Sequence, residues 1–390
     1  MPRINSALIR QINTARVFHA LREHPGSSQR HLGALTGLDA STVSSVIAGL
    51  EAERIVRRAG GRRSGLAGRP EALLRIDPDG GVLIGAAIET HCIRLVACSL
   101  DGARLAALQV APGATVEAAL SSLEHGVRTL LTEIGVGYDR VRGIGVGQHG
   151  LITRTGHLIL APRLGWRDVQ IGDKLQALFP VPVQVENDTK AAALAEHLFG
   201  ACRGVDDFVV VHGGSGIGGA LYLQGGLYRG IGLAGEVGHM KVVARGQLCG
   251  CGARGCLEAY ISEPALCARL ADRGRWLNDT AAMARAAADD PDVRDVLEEA
   301  GGMLGLALAN LANLLNPRRI VLAGTLAVLS DRLLPPARAA LADNALLVVG
   351  EQVEIIVSEL GEDAVELGGV GLAMDGFLPL PTKLGVVRRT

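Results

Sequence analysis

Aromatic residues are scarce in this 390-residue chain: Phe, Tyr and Trp together make up 3%, against 48% hydrophobic residues overall. Its cores are therefore aliphatic, and its length and composition fit a soluble protein of two or three domains. Long apolar runs are missing as well. The most apolar stretch, Met303 to Leu315, is interrupted by Asn310 and Asn313 and is too short to span a bilayer. Met1 to Arg10 holds two arginines but no apolar segment behind them, so no secretory signal is expected. Cysteine is few and odd in number, seven in all and unevenly spread, which fits a reducing cytosol rather than a disulfide framework. A cytoplasmic protein with no membrane partner is expected.

Net charge is also nearly absent, at −1, but this conceals an asymmetry. Residues 1–75 hold twelve arginines against five acids, a surplus of +7 that leaves −8 on the remainder. A small basic end on an acidic body points to an anionic partner for that end alone.

The basic end reads as three helices. Asn13 to Glu23 buries Val17, Ala20 and Leu21 and stops at His24-Pro25-Gly26. Ser27-Ser28 begins a second short helix with Leu32 and Leu35, followed by a turn at Thr36-Gly37-Leu38. Asp39 is the N-cap of a third, in which Val43, Val46, Ile47 and Leu50 form an inward stripe. Its opposite face shows Ser41, Thr42, Ser44 and Ser45, short enough to enter a major groove and able to bond phosphates or base edges. A plain three-helix scaffold has the same pattern. The following "RIVRRAGGRRSGLAGRPEALLRI" (54–76) favours DNA: it reads as two strands with a basic glycine-rich tip, a wing on which Arg62, Arg63 and Arg69 meet phosphates or a minor groove.

Beyond Asp77 the pattern changes to strands: "GVLIGAAI", "HCIRLVACSL" and "ARLAALQV", with a turn at Asp101-Gly102, then a helix over 115–134 and the strand "VRGIGVG". The arrangement recurs in "DDFVVVHGGSGIGGALYLQGGLYRG" (206–230), so two related α/β lobes are expected. The turns differ. Gly213, Gly214, Ser215, Gly216 and Gly218 leave the backbone bare, either for a phosphate or for packing, whereas Ala87-Ile88-Glu89-Thr90-His91 puts a carboxylate at the corresponding place. In "VPVQVENDTKAAALAEHLFG" (181–200) a strand ends in Glu186-Asn187-Asp188, where the ligand crevice of an α/β domain lies. Asp188 is there either a general base or, like Asn187, a helix cap.

Three thiols stand within "CGCGARGCLE" (249–258), and His239 precedes them. His239, Cys249, Cys251 and Cys256 supply the three thiolates and one imidazole of a tetrahedral zinc site. Four protein ligands leave no place for an activated water, so one structural Zn²⁺ per chain is expected, holding Glu236 and Glu258 at either end of the segment. C-x-C lacks the C-x-x-C spacing of disulfide chemistry.

"GEVGH" (235–239) with "CGCGARGCLE", supported by "VENDTKAAALAE" (185–196) and "APRLGW" (161–166), resembles the ROK family of repressors, open reading frames and sugar kinases. The resemblance covers essentially the whole chain, and residues 1–76 resemble the winged helix-turn-helix of its repressor branch. It implies a two-lobed actin-like ATPase (RNase H-like) fold over residues 77–390, with a first lobe at about 77–188 plus the C-terminal helix and a second at about 189–360. It further implies a sugar held by Asn187, Asp188, Glu236, His239 and Glu258, with Gly150 and the 162–163 region lining the same pocket. His239 would serve zinc and sugar with one ring nitrogen each. In the kinases the residue matching Asp188 is the catalytic base. The phosphate motif is replaced here by residues 87–91, the adenosine motif is reduced to Ala323-Gly324-Thr325, and Arg163 stands where many members have asparagine.

The expected function is that of a DNA-binding repressor of carbohydrate genes that senses a sugar or sugar derivative. It would act as a homodimer or homotetramer, because one short recognition helix reads too few bases to be selective. The alternatives are an ATP-dependent sugar kinase with an added DNA-binding arm, and a non-catalytic module regulated by a protein partner.

Overall fold

The computed structural model describes residues 6–62 and 71–379. They form two compact units, one of the described residues up to Gln148, Ala161–Glu186 and the described residues from Gly369 onward, the other of His149–Leu160 and Asn187–Gly368.

The first unit begins with the basic end. Helix α1 (Ser6–Glu23) starts earlier than its apolar spacing predicts, since nothing before Asn13 stops it. Its buried residues, Ala15, Val17, Phe18, His19 and Leu21, all lie in its second half. Helix α2 (Gln29–Thr36) is capped by Ser28, whose Oγ accepts from His31 N, and is ended by Gly37 at φ 67°. Helix α3 (Ala40–Ala52) is capped by Asp39 and buries Val43, Val46, Ile47 and Leu50 as predicted. Strands β1 (Val56–Arg62) and β2 (Glu71–Ile76) pair antiparallel to form the wing. Helix α1 is fastened to the C-terminal helix, Ala364–Phe377: Arg22 Nη1 donates to Asp375 at 3.0 Å, and Phe18 meets Phe377 edge-on at 5.9 Å.

The sheet of this unit contains β3 (Val82–Ile88), β4 (Ile93–Ser99), β5 (Arg104–Val110), β6 (Val141–Gln148) and the strand Val183–Asn187. The spatial order is Val183–Asn187, β6, β3, β4, β5, with β3 parallel to β6 and antiparallel to β4. All seven residues of β3 are buried, as expected of a central strand covered on both faces. Helix α4 (Val116–Glu133) packs on β4 and β5. The C-terminal helix comes so close to β6 that a Cβ on Gly145 would collide with Gly369 O, so only glycine fits that strand position.

The second unit repeats the plan. Its sheet order is Gly226–Tyr228, Ile217–Leu223, Phe208–Gly213, Arg319–Gly324, Glu354–Val357. In both sheets a three-stranded antiparallel meander is extended on the side of its first strand, first by a parallel strand and then by a fifth. The lobe duplication read from the sequence is thus a repeat of topology. Its core lies between this sheet and the helices Pro291–Leu315 and Ser330–Asn344, with Val209, Leu304, Leu308 and Leu322 fully buried. Among the described residues no helix is long and apolar enough to cross a membrane.

Candidate metal centre and carboxylate site

Both sites lie in the second unit. The strand Val183–Asn187 runs directly into the helix Asp188–Leu198, so Asn187 and Asp188 stand at a strand-to-helix corner. Asn187 is the cap: its Oδ1 accepts from Lys190 N at 3.2 Å, while its Nδ2 donates to Gly150 O at 3.1 Å. Capping and a place in the site are therefore not alternatives for this residue.

Asp188 is held on both oxygens. Oδ1 accepts from Thr189 N at 2.7 Å, and Oδ2 lies 3.1 Å from His149 Nδ1. Burial opposes its ionisation, but the His149 hydrogen bond and charge, with His212 and Thr189 N, bring its pKa down to about 2. The sequence reading missed His149. Its only local signal is a polar Gln148-His149 pair at the end of an apolar strand.

Glu236 lies in the same region. Burial pushes its carboxyl above the usual range; His239 and Lys190 oppose this, and Glu258 and Asp188 add to it. Lys190 is itself buried, with Nζ donating to Gly232 O at 2.9 Å. His239 Nε2 is 3.9 Å from Glu236 Oε2, and Glu258 Oε2 accepts from Ile217 N at 3.0 Å. The structure therefore brings Asn187, Asp188, Glu236, His239 and Glu258 into one polar region, with His149 and Lys190 added.

The glycine turn at 213–218 is explained by its neighbours. A Cβ on Gly216 would strike Glu258 Oε2, one on Gly218 would strike Thr189, and one on Gly213 would strike Thr325 and Leu326. In this turn only Gly214 has open space beside it. Packing thus accounts for glycine at 213 and 218, while Gly216 faces the carboxylate end of Glu258.

His239 Nδ1 and the Sγ atoms of Cys249, Cys251 and Cys256 all lie within 4.8 Å of one another. Cys249 Sγ is 3.8 Å from His239 Nδ1, and Cys251 Sγ is 3.7 Å from Cys256 Sγ. Sulfur ligands about 2.3 Å from a tetrahedral ion stand roughly 3.8 Å apart, the spacing of these two pairs, so the set is a candidate for holding one metal ion. The chain reaches this geometry through tight turns: Gly252 N donates to Cys249 O at 2.9 Å, and the backbone bridges Lys241 to Cys256 and Leu248 to Arg254. Lys241 Nζ donates to Cys256 Sγ at 2.8 Å.

In the first unit, Glu89 is tied to the Arg94 guanidinium, and its N–H donates to Cys92 O at 3.0 Å. The turn after β3 is thus a hairpin in which the carboxylate at this place is paired with Arg94. Arg163 is exposed in the turn Ala161–Gly165 of the first unit.

On the arm, Ser41, Ser44 and Ser45 are exposed and Thr42 is half-buried. The Ser41 and Thr42 hydroxyls donate to the Asp39 carboxylate at 2.5 and 2.7 Å, holding it well below the usual range. They serve the cap first, so Ser44 and Ser45 are the better candidates for base contacts. Arg10 and Asn13 of α1 line a groove with Ser41, Thr42 and Ser45, an extension of this face that the helix pattern alone did not reveal. Arg62 ends β1, while Arg63 and Arg69 lie outside the described residues.

The ROK family profile matches residues 83–375, and a MarR family profile matches residues 10–69. The xylose repressor of Bacillus subtilis is 28% identical over 385 residues, covering 97% of this chain and 99% of its own. The glucokinase of Halalkalibacterium halodurans is 35% identical over 246 residues, covering 58% of this chain and 74% of its own. The crystal structure of a ROK family transcriptional regulator, a homologue of the E. coli MLC protein, matches with a TM-score of 0.84 at 24% identity, over 95% of this chain and 97% of that one. A ROK glucokinase from Streptomyces griseus, solved with glucose and AMPPNP, matches with a TM-score of 0.65 at 29% identity, over 76% of this chain and all of its own.

Proposed function

Since the chain belongs to the ROK family, we propose that it is a transcriptional repressor of carbohydrate genes that binds operator DNA through its arm and a sugar effector through its body. The observation that carries this reading is the joining of a MarR-type arm and a ROK body in one chain, matched end to end by xylose repressors. The arm is assigned to residues 1–76 and the sugar-binding body to 77–390. Asn187, Asp188, Glu236, His239 and Glu258 are assigned to the effector, with His149 beside them.

The metal is assigned as one structural Zn²⁺ per chain, because three thiolates and an imidazole in a four-coordinate set suit zinc. Zinc would tie the two ends of the segment 239–256 together and leave no coordination position for water. His239 supports both roles at once: Nδ1 faces the sulfurs and Nε2 faces Glu236.

Two features weigh against a sugar kinase despite the glucokinase relatives: the xylose repressor matches 97% of this chain whereas the glucokinase matches 58%, and Glu89 and His91 stand after β3 where the kinases of the family carry their phosphate motif. The arm presents one recognition helix per chain, so selective reading of an operator calls for a dimer.

A thermal-shift screen against D-xylose, D-glucose, N-acetyl-D-glucosamine and their 6-phosphates tests the reading. At one hundred times its Kd an effector should add about 3 kcal/mol of stability, and it should release the protein from DNA of its own upstream region. If no sugar stabilises the chain, or if one is phosphorylated from ATP, the reading fails.

A further inference from the structure

Helix α1 runs from Ser6, yet every residue it buries lies from Ala15 onward. Its first turns, residues 6–14, therefore add little to the core, and Ile9 within them is 47% exposed. These turns lie against α3 instead, where Arg10 and Asn13 line a groove with Ser41, Thr42 and Ser45. The Arg10 guanidinium reaches along α3 as far as Gly49: its Nη2 is 3.8 Å from the point that a Cβ there would occupy. Three other arginines of the arm are already engaged, Arg16 by Thr36 O, Arg22 by Asp375 and Arg58 by Glu51. Arg10 is exposed and has no carboxylate partner among the described residues. Asp39 does not neutralise it. Its carboxylate is taken by the Ser41 and Thr42 hydroxyls, and Gly49 stands ten residues further on, about 15 Å along the helix, beyond the screening length of about 8 Å.

We propose that this extension is a phosphate clamp, in which Arg10, with Asn13 and Ser45 as further donors, grips the DNA backbone beside the groove that α3 enters. It rests on the reading of the arm as an operator-binding domain. Geometry is the first argument. Helices packed together have axes about 8–10 Å apart, and the major groove is about 12 Å wide. With α3 inside the groove, a helix packed along its side is set over the groove's wall, and that wall is the sugar-phosphate backbone. The donor chemistry is the second. A guanidinium, a carboxamide and a hydroxyl all donate to phosphate oxygens, and the guanidinium does so in a charge-assisted pair. Such a contact carries no sequence information; it fixes the register in which Ser44 meets the bases.

Fluorescence anisotropy of the full chain, read across about 50–200 mM KCl, is the measurement. Its probes are a duplex from the protein's own upstream region and a random-sequence duplex of equal length. Arg10→Gln is expected to weaken both by a similar factor, roughly eightfold at about 0.1 M salt for each arm bound. The slope of log K against log salt should flatten by about 0.9 per arm. Arg10→Lys keeps the charge and should keep the slope, which a purely structural role for the guanidinium would not require. Arg285→Gln, at an exposed position in the other unit, should leave it unchanged. Circular dichroism checks that each variant is folded. An Arg10→Gln slope equal to that of wild type overturns the inference, as does a loss confined to the upstream duplex, which makes Arg10 a base reader. So does an Arg10→Lys slope as flat as that of Arg10→Gln. If wild type binds neither duplex, the reading of the arm falls as well.

Discussion

Replacing His149 by phenylalanine keeps a ring of similar size in place and removes the nitrogen that faces Asp188 at 3.1 Å. Asp188 is brought from 3.8 to about 2, and each pKa unit is worth about 1.4 kcal/mol, so its ionised form is favoured by ~2 kcal/mol on folding. That figure is a net one: burial works against ionisation, while His149 is the largest favourable contributor, ahead of His212 and Thr189 N. Loss of a hydrogen bond to a charged group costs about 1.5–3 kcal/mol. With Asp188 one-quarter exposed (26%), water recovers part of this, and a loss of ~1–2 kcal/mol at pH 7 is expected. Urea unfolding of wild type, His149→Phe, Asp188→Asn and the double variant closes a double-mutant cycle, with an expected coupling of ~1 kcal/mol or more.

The pH dependence has a fixed sign. The folded pKa of Asp188 lies below its unfolded value, so its contribution is complete above about pH 4 and is lost as the pH falls towards about 2. The stability difference between wild type and Asp188→Asn should therefore shrink as the pH falls below about 4. Additive single losses, or a difference that grows as the pH falls below about 4, would refute the account of the pair.

Three further outcomes are expected. Protein purified without chelator should carry about one zinc per chain by elemental analysis, and Cys251→Ser should lower both zinc content and Tm, because ligation contributes folding energy; metal-free wild type that still binds its sugar would sink the assignment. A coupled assay should find no sugar-dependent ATP turnover above background, and turnover abolished by Asp188→Asn would establish a kinase instead. Ser44→Arg should impair operator binding by fluorescence anisotropy and leave sugar binding intact, whereas Glu258→Ala should keep DNA affinity and lose the response to sugar, a coupling of ~1–3 kcal/mol; identical behaviour of the two variants would break the separation of arm and body.

What the sequence made legible was local in the chain. The caps at Ser28 and Asp39 sit next to the helices they start, the wing strands share one short segment, and the metal ligands fall within one stretch of chain closed by glycine turns. The repeated strand pattern was visible because each copy is contiguous from its first strand to its turn. What stayed hidden depends on partners distant in sequence. His149 looks like any residue after a strand until the fold places Asp188 beside it, although the reasoning that selected Glu186-Asn187-Asp188 at a strand's carboxyl end applies equally to Gln148-His149. Glu89 reads as a bare charge until the hairpin sets Arg94 against it.

The glycine turn carries the sharper lesson. A bare backbone is needed wherever another group comes within about 3 Å of a Cα, and that group can be a phosphate or the protein itself. Composition cannot separate the two, because glycine answers both demands in the same way. At Gly216 and Gly218 the approaching groups are Glu258 and Thr189, residues of the candidate effector site or adjoining it. The glycines that suggest a nucleotide in one dimension therefore let the turn close onto the carboxylate site in three. The turn lies against the side chains proposed for the effector, and substituting Gly216 should disturb Glu258 whether or not a phosphate ever binds.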